Sequence, residues 1–137
     1  MTKATEFSEY INNSYATKAE NIILGGAILD GEPLADTFVK IPLKTLNRHG
    51  LIAGATGTGK TKTIQVFSEQ LSSKGIPVLM MDIKGDFSGI AVEGEEKSFI
   101  TERHAKINLP YSTQKFPVEL MSLSSENGVR LRATVSE

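Results

Sequence analysis

The octapeptide Gly54-Ala55-Thr56-Gly57-Thr58-Gly59-Lys60-Thr61 constrains this chain more than any other stretch, because it fits the phosphate-binding pattern G-x-x-x-x-G-K-[ST] at each fixed position. Glycine has no Cβ, so its backbone reaches open and left-handed conformations and approaches a ligand closely. Successive N–H groups then point inward and form a nest for phosphate oxygens. Lys60 adds a mobile positive charge, and Thr61 offers a hydroxyl to Mg2+, which takes near-octahedral oxygen ligands. A helix opening at this point aims its N-terminal dipole at the same anion. The candidate nucleotide contacts are therefore Thr56, Gly57, Thr58, Gly59, Lys60 and Thr61, with Thr61 as candidate magnesium ligand.

The flanks agree with that pattern. Leu51-Ile52-Ala53 suits a short buried strand, and after the loop Ile64, Phe67 and Leu71 fall at helical spacing while Gln65, Glu69 and Gln70 are expected to face water. Lys74, Gly75 and Pro77 give a helix stop. Strand, loop and helix thus come in the order a phosphate loop needs. At 137 residues the chain holds one core, short of the roughly 150 or more of a complete parallel-sheet ATPase. Its 15 basic and 16 acidic residues leave a net charge of −1, which neither argues for a nucleic-acid surface nor excludes a local basic patch. The absence of cysteine removes disulfides, thiolate zinc sites and cysteine nucleophiles. A polar N-terminus without an apolar signal core, and no run near the ~20 apolar residues of a membrane span, make a cytoplasmic, non-membrane protein the expectation.

Ahead of the loop, Phe7, Tyr10, Ile11 and Tyr15 share one face of an expected amphipathic helix over residues 5–16, and read as packing residues. Residues 22–29 read as a strand ending at the turn Asp30-Gly31, with a bulge expected at Gly25-Gly26. In residues 37–43, Val39, Ile41 and Leu43 alternate with Phe38 and Lys40, and Pro42 keeps this strand at an edge. His49 reads as a hydrogen-bonding or packing residue.

Beyond the helix, Val78-Leu79-Met80-Met81 reads as a second core strand ending at Asp82. Two readings of Asp82 compete. It is either the carboxylate that organises Mg2+ beside the phosphate loop, although Ile83 stands where many hydrolysing ATPases carry a glutamate, or a strand end of another kind. Asp82-Ile83-Lys84-Gly85 also fits the D-x-x-G of GTPases, but no guanine-reading N-K-x-D occurs. Residues 88–96 suggest an acidic surface loop, and Ser98 an N-cap for a helix carrying Ile100, His104 and Ile107 that ends near Leu109-Pro110. Residues 116–123 and 129–135 read as strands joined at 124–128 into a hairpin, with Arg130 and Arg132 on its polar face. His49 and His104 alone offer little for a transition-metal site.

The run Asn47-Arg48-His49-Gly50-Leu51-Ile52-Ala53 with the octapeptide resembles the phosphate loops of the HerA/FtsK superfamily, in which a histidine before the strand and a G-A-T-G-[ST]-G-K-[ST] loop recur together. Met81-Asp82-Ile83-Lys84-Gly85-Asp86 is similar to their D-x-K-G-[DE] segment, and the likeness to HerA-like bacterial ATPases of the YjgR type runs from about Asn21 onward. The resemblance implies that the D-x-K-G segment is not the Walker B motif. In such proteins an extra strand intervenes, and the Asp-Glu pair, the sensor residue and the arginine that completes a neighbour's site come later; no residue here matches them.

The expected fold is α/β: an incomplete P-loop NTPase core of RecA-like (ASCE) type, preceded by a short helix and a β-rich leader. Residues 1–46 form helix and leader, and 47–137 the first part of the ATPase domain, ending before Walker B. The resemblance implies an ATP- and Mg2+-using, DNA-translocating or helicase-like motor that assembles as a hexameric ring, of which this chain binds ATP without hydrolysing it. A non-hydrolysing nucleotide-binding module, and a small P-loop kinase or GTPase using Asp82, remain alternatives.

Overall fold

The computed structural model of the chain describes residues 2–122 and 128–130. Helix α1 spans Lys3–Ser14, with the Thr2 hydroxyl accepting from the Thr5 amide as its N-cap. Strands β1 (Asn21–Leu29) and β2 (Glu32–Pro42) form an antiparallel pair. They are joined by Asp30 and Gly31, which both have positive φ, 50° and 88°. Two positive φ angles are what a two-residue type I′ turn demands, and its twist matches that of the strands it joins. The ladder shifts register between Ile23 and Gly25 and again between Gly26 and Ile28, while Gly25 and Gly26 themselves pair with Val39 and Phe38, so the irregularities flank the glycine pair instead of falling on it as expected.

The hairpin is covered on both faces. Cα partners in an antiparallel pair share a face. Gly26 and Phe38 are such partners, and a Cβ on Gly26 would lie 3.3 Å from the Ile107 side chain. On the other face the fully buried Thr37 hydroxyl meets Ser8 Oγ of α1 at 2.6 Å. Asn12 Nδ2 donates to the Asp36 carbonyl, and Lys3 pairs with Asp30 at 2.7 Å. Helix α1 is therefore held largely by polar ties. Phe7 and Ile11 are half-buried, but Tyr10 is 67% exposed and Tyr15 also faces solvent, so only part of the aromatic face packs as expected. Among the described residues the buried apolar side chains are few: Ile22, Ala27 and Phe38 of the hairpin, Leu71, and the pair Ile90 and Phe116, linked by a bond from the Phe116 amide to the Ile90 carbonyl.

Helix α2 runs Lys60–Ser73 and ends in a Schellman turn. Gly75 takes φ 73°, its amide donates to Ser72 O, and Ile76 donates to Leu71 O. Helix α3 (Ser98–Lys106) ends the same way, with Asn108 at φ 56° in the glycine's role and its side-chain amide bonded to Asp36 Oδ1 at 2.8 Å. Its N-cap is Lys97; Ser98, expected to be the cap, is instead the first helical residue. In the expected acidic loop after residue 88, a 3-10 turn at Ser88–Ala91 anchors the chain by burying Ile90.

Several expected strands are not formed. Residues 51–53 and 78–81 pair with nothing among the described residues, and Leu51, Leu79 and Met81 are 89%, 81% and 88% exposed. A hairpin needs only its own two-residue turn, whereas these segments would have to meet across a helix and would still leave sheet faces bare. Residues 116–120 are likewise not a strand. Strand β3 is only Met121–Ser122, and its pairing with β4 (Val129–Arg130) is parallel, so the expected antiparallel hairpin is corrected where it is described. The rest of that hairpin, including Arg132, lies outside the described residues. The fold shown is a mixture of helix and strand in which the local β1–β2 hairpin is the only extended ladder among the described residues.

Candidate functional site

Residues 54–59, the candidate phosphate loop, turn sharply into α2. Gly57 and Gly59 have φ of 81° and 94°, the left-handed region that glycine enters without a Cβ clash, and Gly59 occupies the N-cap position. No side chain caps this end. The first helical amides of any α-helix lack intrahelical partners; here the Thr63 amide is the one that returns to Gly59 O, at 2.9 Å. The amides of Lys60, Thr61 and Lys62 thus face the loop at the positive end of a 14-residue helix.

Inside the loop, one carbonyl gathers the donors. Ala55 O accepts from Lys60 Nζ at 2.7 Å and from Thr58 Oγ1 at 2.8 Å. Lys60 is thereby held against the loop's own backbone. Gly54 explains its place here, since a Cβ would lie 2.5 Å from the Thr58 hydroxyl. Thr56, Gly57, Thr58 and Gly59 are exposed, and Lys60 and Thr61 half-buried, so the six candidate contacts form one continuous, open strip.

The Asp82 carboxylate is engaged by its own loop. Its Oδ1 accepts from the amides of Lys84 at 3.1 Å and Gly85 at 2.9 Å, and its Oδ2 from the Phe87 amide at 2.9 Å. These bonds, that from Phe87 foremost, hold its carboxyl below the ordinary aspartate value of 3.8. The carboxylate organises the loop that follows it, in which Gly85 takes φ 78°. That loop is tied to α2, because Gln65 Nε2 donates to Asp86 O at 3.0 Å.

The water-facing role expected for Gln65 and Gln70 is overturned. Gln65 is buried together with Ser68 and Leu71, and Gln70 is half-buried. Ser68 Oγ donates to Ile64 O and also contacts Met80 Sδ at 3.3 Å. Burial also raises the Glu69 carboxyl, against the opposing pull of Lys62. Periodicity marks apolar residues as buried, and it finds Leu71 but not Gln65 and Gln70, whose side chains reach backbone atoms of distant segments.

His49 is exposed. His104 Nδ1 lies 3.2 Å from Leu109 O and its ring is 4.7 Å from that of Tyr111, so it closes the turn after α3. Among the described residues no cluster of His, Asp and Glu suited to a metal is present, and no helix is long and apolar enough to cross a membrane.

Known proteins resemble this chain in part. It is 41% identical over 49 residues to the DNA double-strand break repair helicase HerA of Sulfolobus acidocaldarius, across 36% of this chain and 10% of that protein. The same-named proteins of Saccharolobus solfataricus and Sulfurisphaera tokodaii are 39% identical over 49 residues and 40% identical over 53. They are matched over 10% and 11% of their lengths, so the match spans about a tenth of each curated relative. No solved structure matches the chain. The family model for the Helicase HerA-like C-terminal region matches residues 28–137, most of the sequence, and the chain accordingly belongs to the HerA-like helicase family.

Proposed function

We propose that residues 54–61 grip Mg-ATP, and that the chain is the nucleotide-gripping part of a helicase-like ATPase motor that works on DNA as a ring of copies. The observation that carries the reading is the uncapped N-terminus of α2, set behind two left-handed glycines with Lys60 folded onto Ala55 O. This donor set fits a polyphosphate. Amides at a helix N-terminus and a lysine ammonium are strong partners for phosphate oxygens and poor ones for neutral ligands. Lys60 exchanges the Ala55 carbonyl for the β- and γ-phosphates, the amides of residues 57–61 take the remaining oxygens, and the Thr61 hydroxyl is a magnesium ligand. Bound Mg-ATP supplies the phosphoanhydride bond on which a motor of this class runs. In this reading residues 1–46 are a leader and 47–137 the first part of a P-loop core of RecA-like type, and membership of the HerA-like family supports the DNA-directed motor role.

A second reading, a module that binds nucleotide without cleaving it, draws on Asp82. Both its oxygens serve loop amides, and Ile83 rather than a glutamate follows it, so Asp82 is occupied in holding its own loop. The same geometry speaks against a kinase or GTPase built on Asp82. The test is titration of a fluorescent ATP analogue with Mg2+. Wild-type chain is expected to bind, Lys60→Ala to bind at least ~10-fold more weakly, and neither to release phosphate. Equal affinity in both chains would remove the loop from the site, and a strong preference for GTP would end the motor reading.

A further inference from the structure

The outer edge of β1 is closed at one residue by a side chain. In an antiparallel pair, successive residues direct their N–H and C=O alternately toward the neighbouring strand and away from it. Ile23, opposite Lys40, points away, and the ladder breaks just after it at the bulge. Its N–H donates to Gln70 Oε1 at 2.7 Å, and its C=O accepts from Gln70 Nε2 at 2.7 Å. A carboxamide presents an acceptor and a donor side by side, the same pair that an added strand would present to one residue. Close by, Lys74 of the region after α2 pairs with Glu20 at 3.3 Å, a second tie between the same two segments.

Gln70 also lies on the helix that begins at the phosphate loop. It is ten residues beyond Lys60, about 15 Å along a rigid rod whose first amides face the loop. One element therefore holds the candidate anion site at one end and the leader hairpin near the other.

We infer that Gln70 is a positioning residue: its carboxamide replaces a β-strand neighbour on Ile23 and fixes the leader hairpin to the phosphate-loop helix, so that nucleotide at the loop is felt in the hairpin. Only the last clause rests on the nucleotide reading proposed above.

Hydrogen exchange on the full chain tests it, with Gln70→Met and Gln70→Glu variants. Met keeps the volume of the side chain and removes both hydrogen-bonding groups; Glu keeps an acceptor for the Ile23 amide and loses the donor. Without nucleotide, the Ile23 amide exchanges about fivefold faster in Gln70→Met than in wild type, the size expected for one lost hydrogen bond. The Ile22 and Ile41 amides, inside the ladder, change less than about threefold. Gln70→Glu retains part of the Ile23 protection. Unchanged Ile23 exchange in Gln70→Met would show that the side chain only fills space, and would overturn the clamp. On adding Mg-ATP, residues 21–29 become slower to exchange in wild type and not in Gln70→Met, while both chains bind the analogue with affinities within about threefold. Wild type that binds ATP with no change in the hairpin would overturn the coupling. Wild type that fails to bind ATP would overturn the nucleotide reading instead, and the nucleotide-free comparison would still decide the clamp.

Discussion

Asp82 shows how much one carboxylate does in an exposed loop. Three backbone amides converge on it, from Lys84, Gly85 and Phe87, and each bond favours the ionised form. Because its pKa is lowered on folding, its contribution is present above the unfolded value of 3.8 and is lost as pH falls through the folded value. The amides of Gly85 and Phe87 are therefore expected to lose protection below that range, read by NMR-detected exchange. Asp82→Asn should loosen the same amides at neutral pH, since an amide leaves only one acceptor oxygen. Neutral-pH protection unchanged in Asp82→Asn would remove the carboxylate from the loop's support. Residue-level geometry of this kind was only half legible. The phosphate-loop glycines could be read as backbone signals because their conformations are intrinsic. The partners of Asp82, Gln65 and Gln70 could not, since a polar side chain carries no mark of which amide or carbonyl it will reach.

In the β1–β2 hairpin, sequence and structure agree on β1 and on the turn, while β2 begins at Glu32, ahead of the expected 37–43. Asp30-Gly31 sets the turn, which follows from local backbone preferences, whereas the ladder irregularities flank Gly25-Gly26. Gly31 at φ 88° has open space around a Cβ, so Gly31→Ala isolates the backbone cost. That variant should lose about 1 kcal/mol or slightly more in urea unfolding, with no change in the packed residues. A neutral effect would mean the turn relaxes into another type. Helix α2 was legible as an element but not in its orientation. Its start at the phosphate loop and its stop at Gly75 follow from sequence, whereas the buried face runs through Gln65, Ser68 and Leu71. Hydrophobic periodicity has no means of finding a face that is buried through hydrogen bonds.

Across the whole molecule, the apolar stretches flanking α2 stand out into solvent. Leu79 is 81% and Met81 88% exposed, so they lie outside the core, while Met80 between them is half-buried against Ser68. Replacing both, Leu79→Ser with Met81→Ser, is expected to change unfolding free energy by no more than about 0.5 kcal/mol while lowering binding of a hydrophobic dye. A loss of several kcal/mol would show that this segment packs against something in solution. Sequence by itself determined the Asp30-Gly31 turn and the stop of α2 at Gly75, because each depends on the conformations a few adjacent residues allow. It also carried the HerA-like likeness that the family match bears out. Only the tertiary structure decided which strands pair, that Asp82 serves its own loop, and that Gln70 closes the edge of β1 from 47 residues away. Such choices depend on which distant backbone groups remain unpaired once the local elements have formed, and that is a property of the assembled chain, not of any window along it.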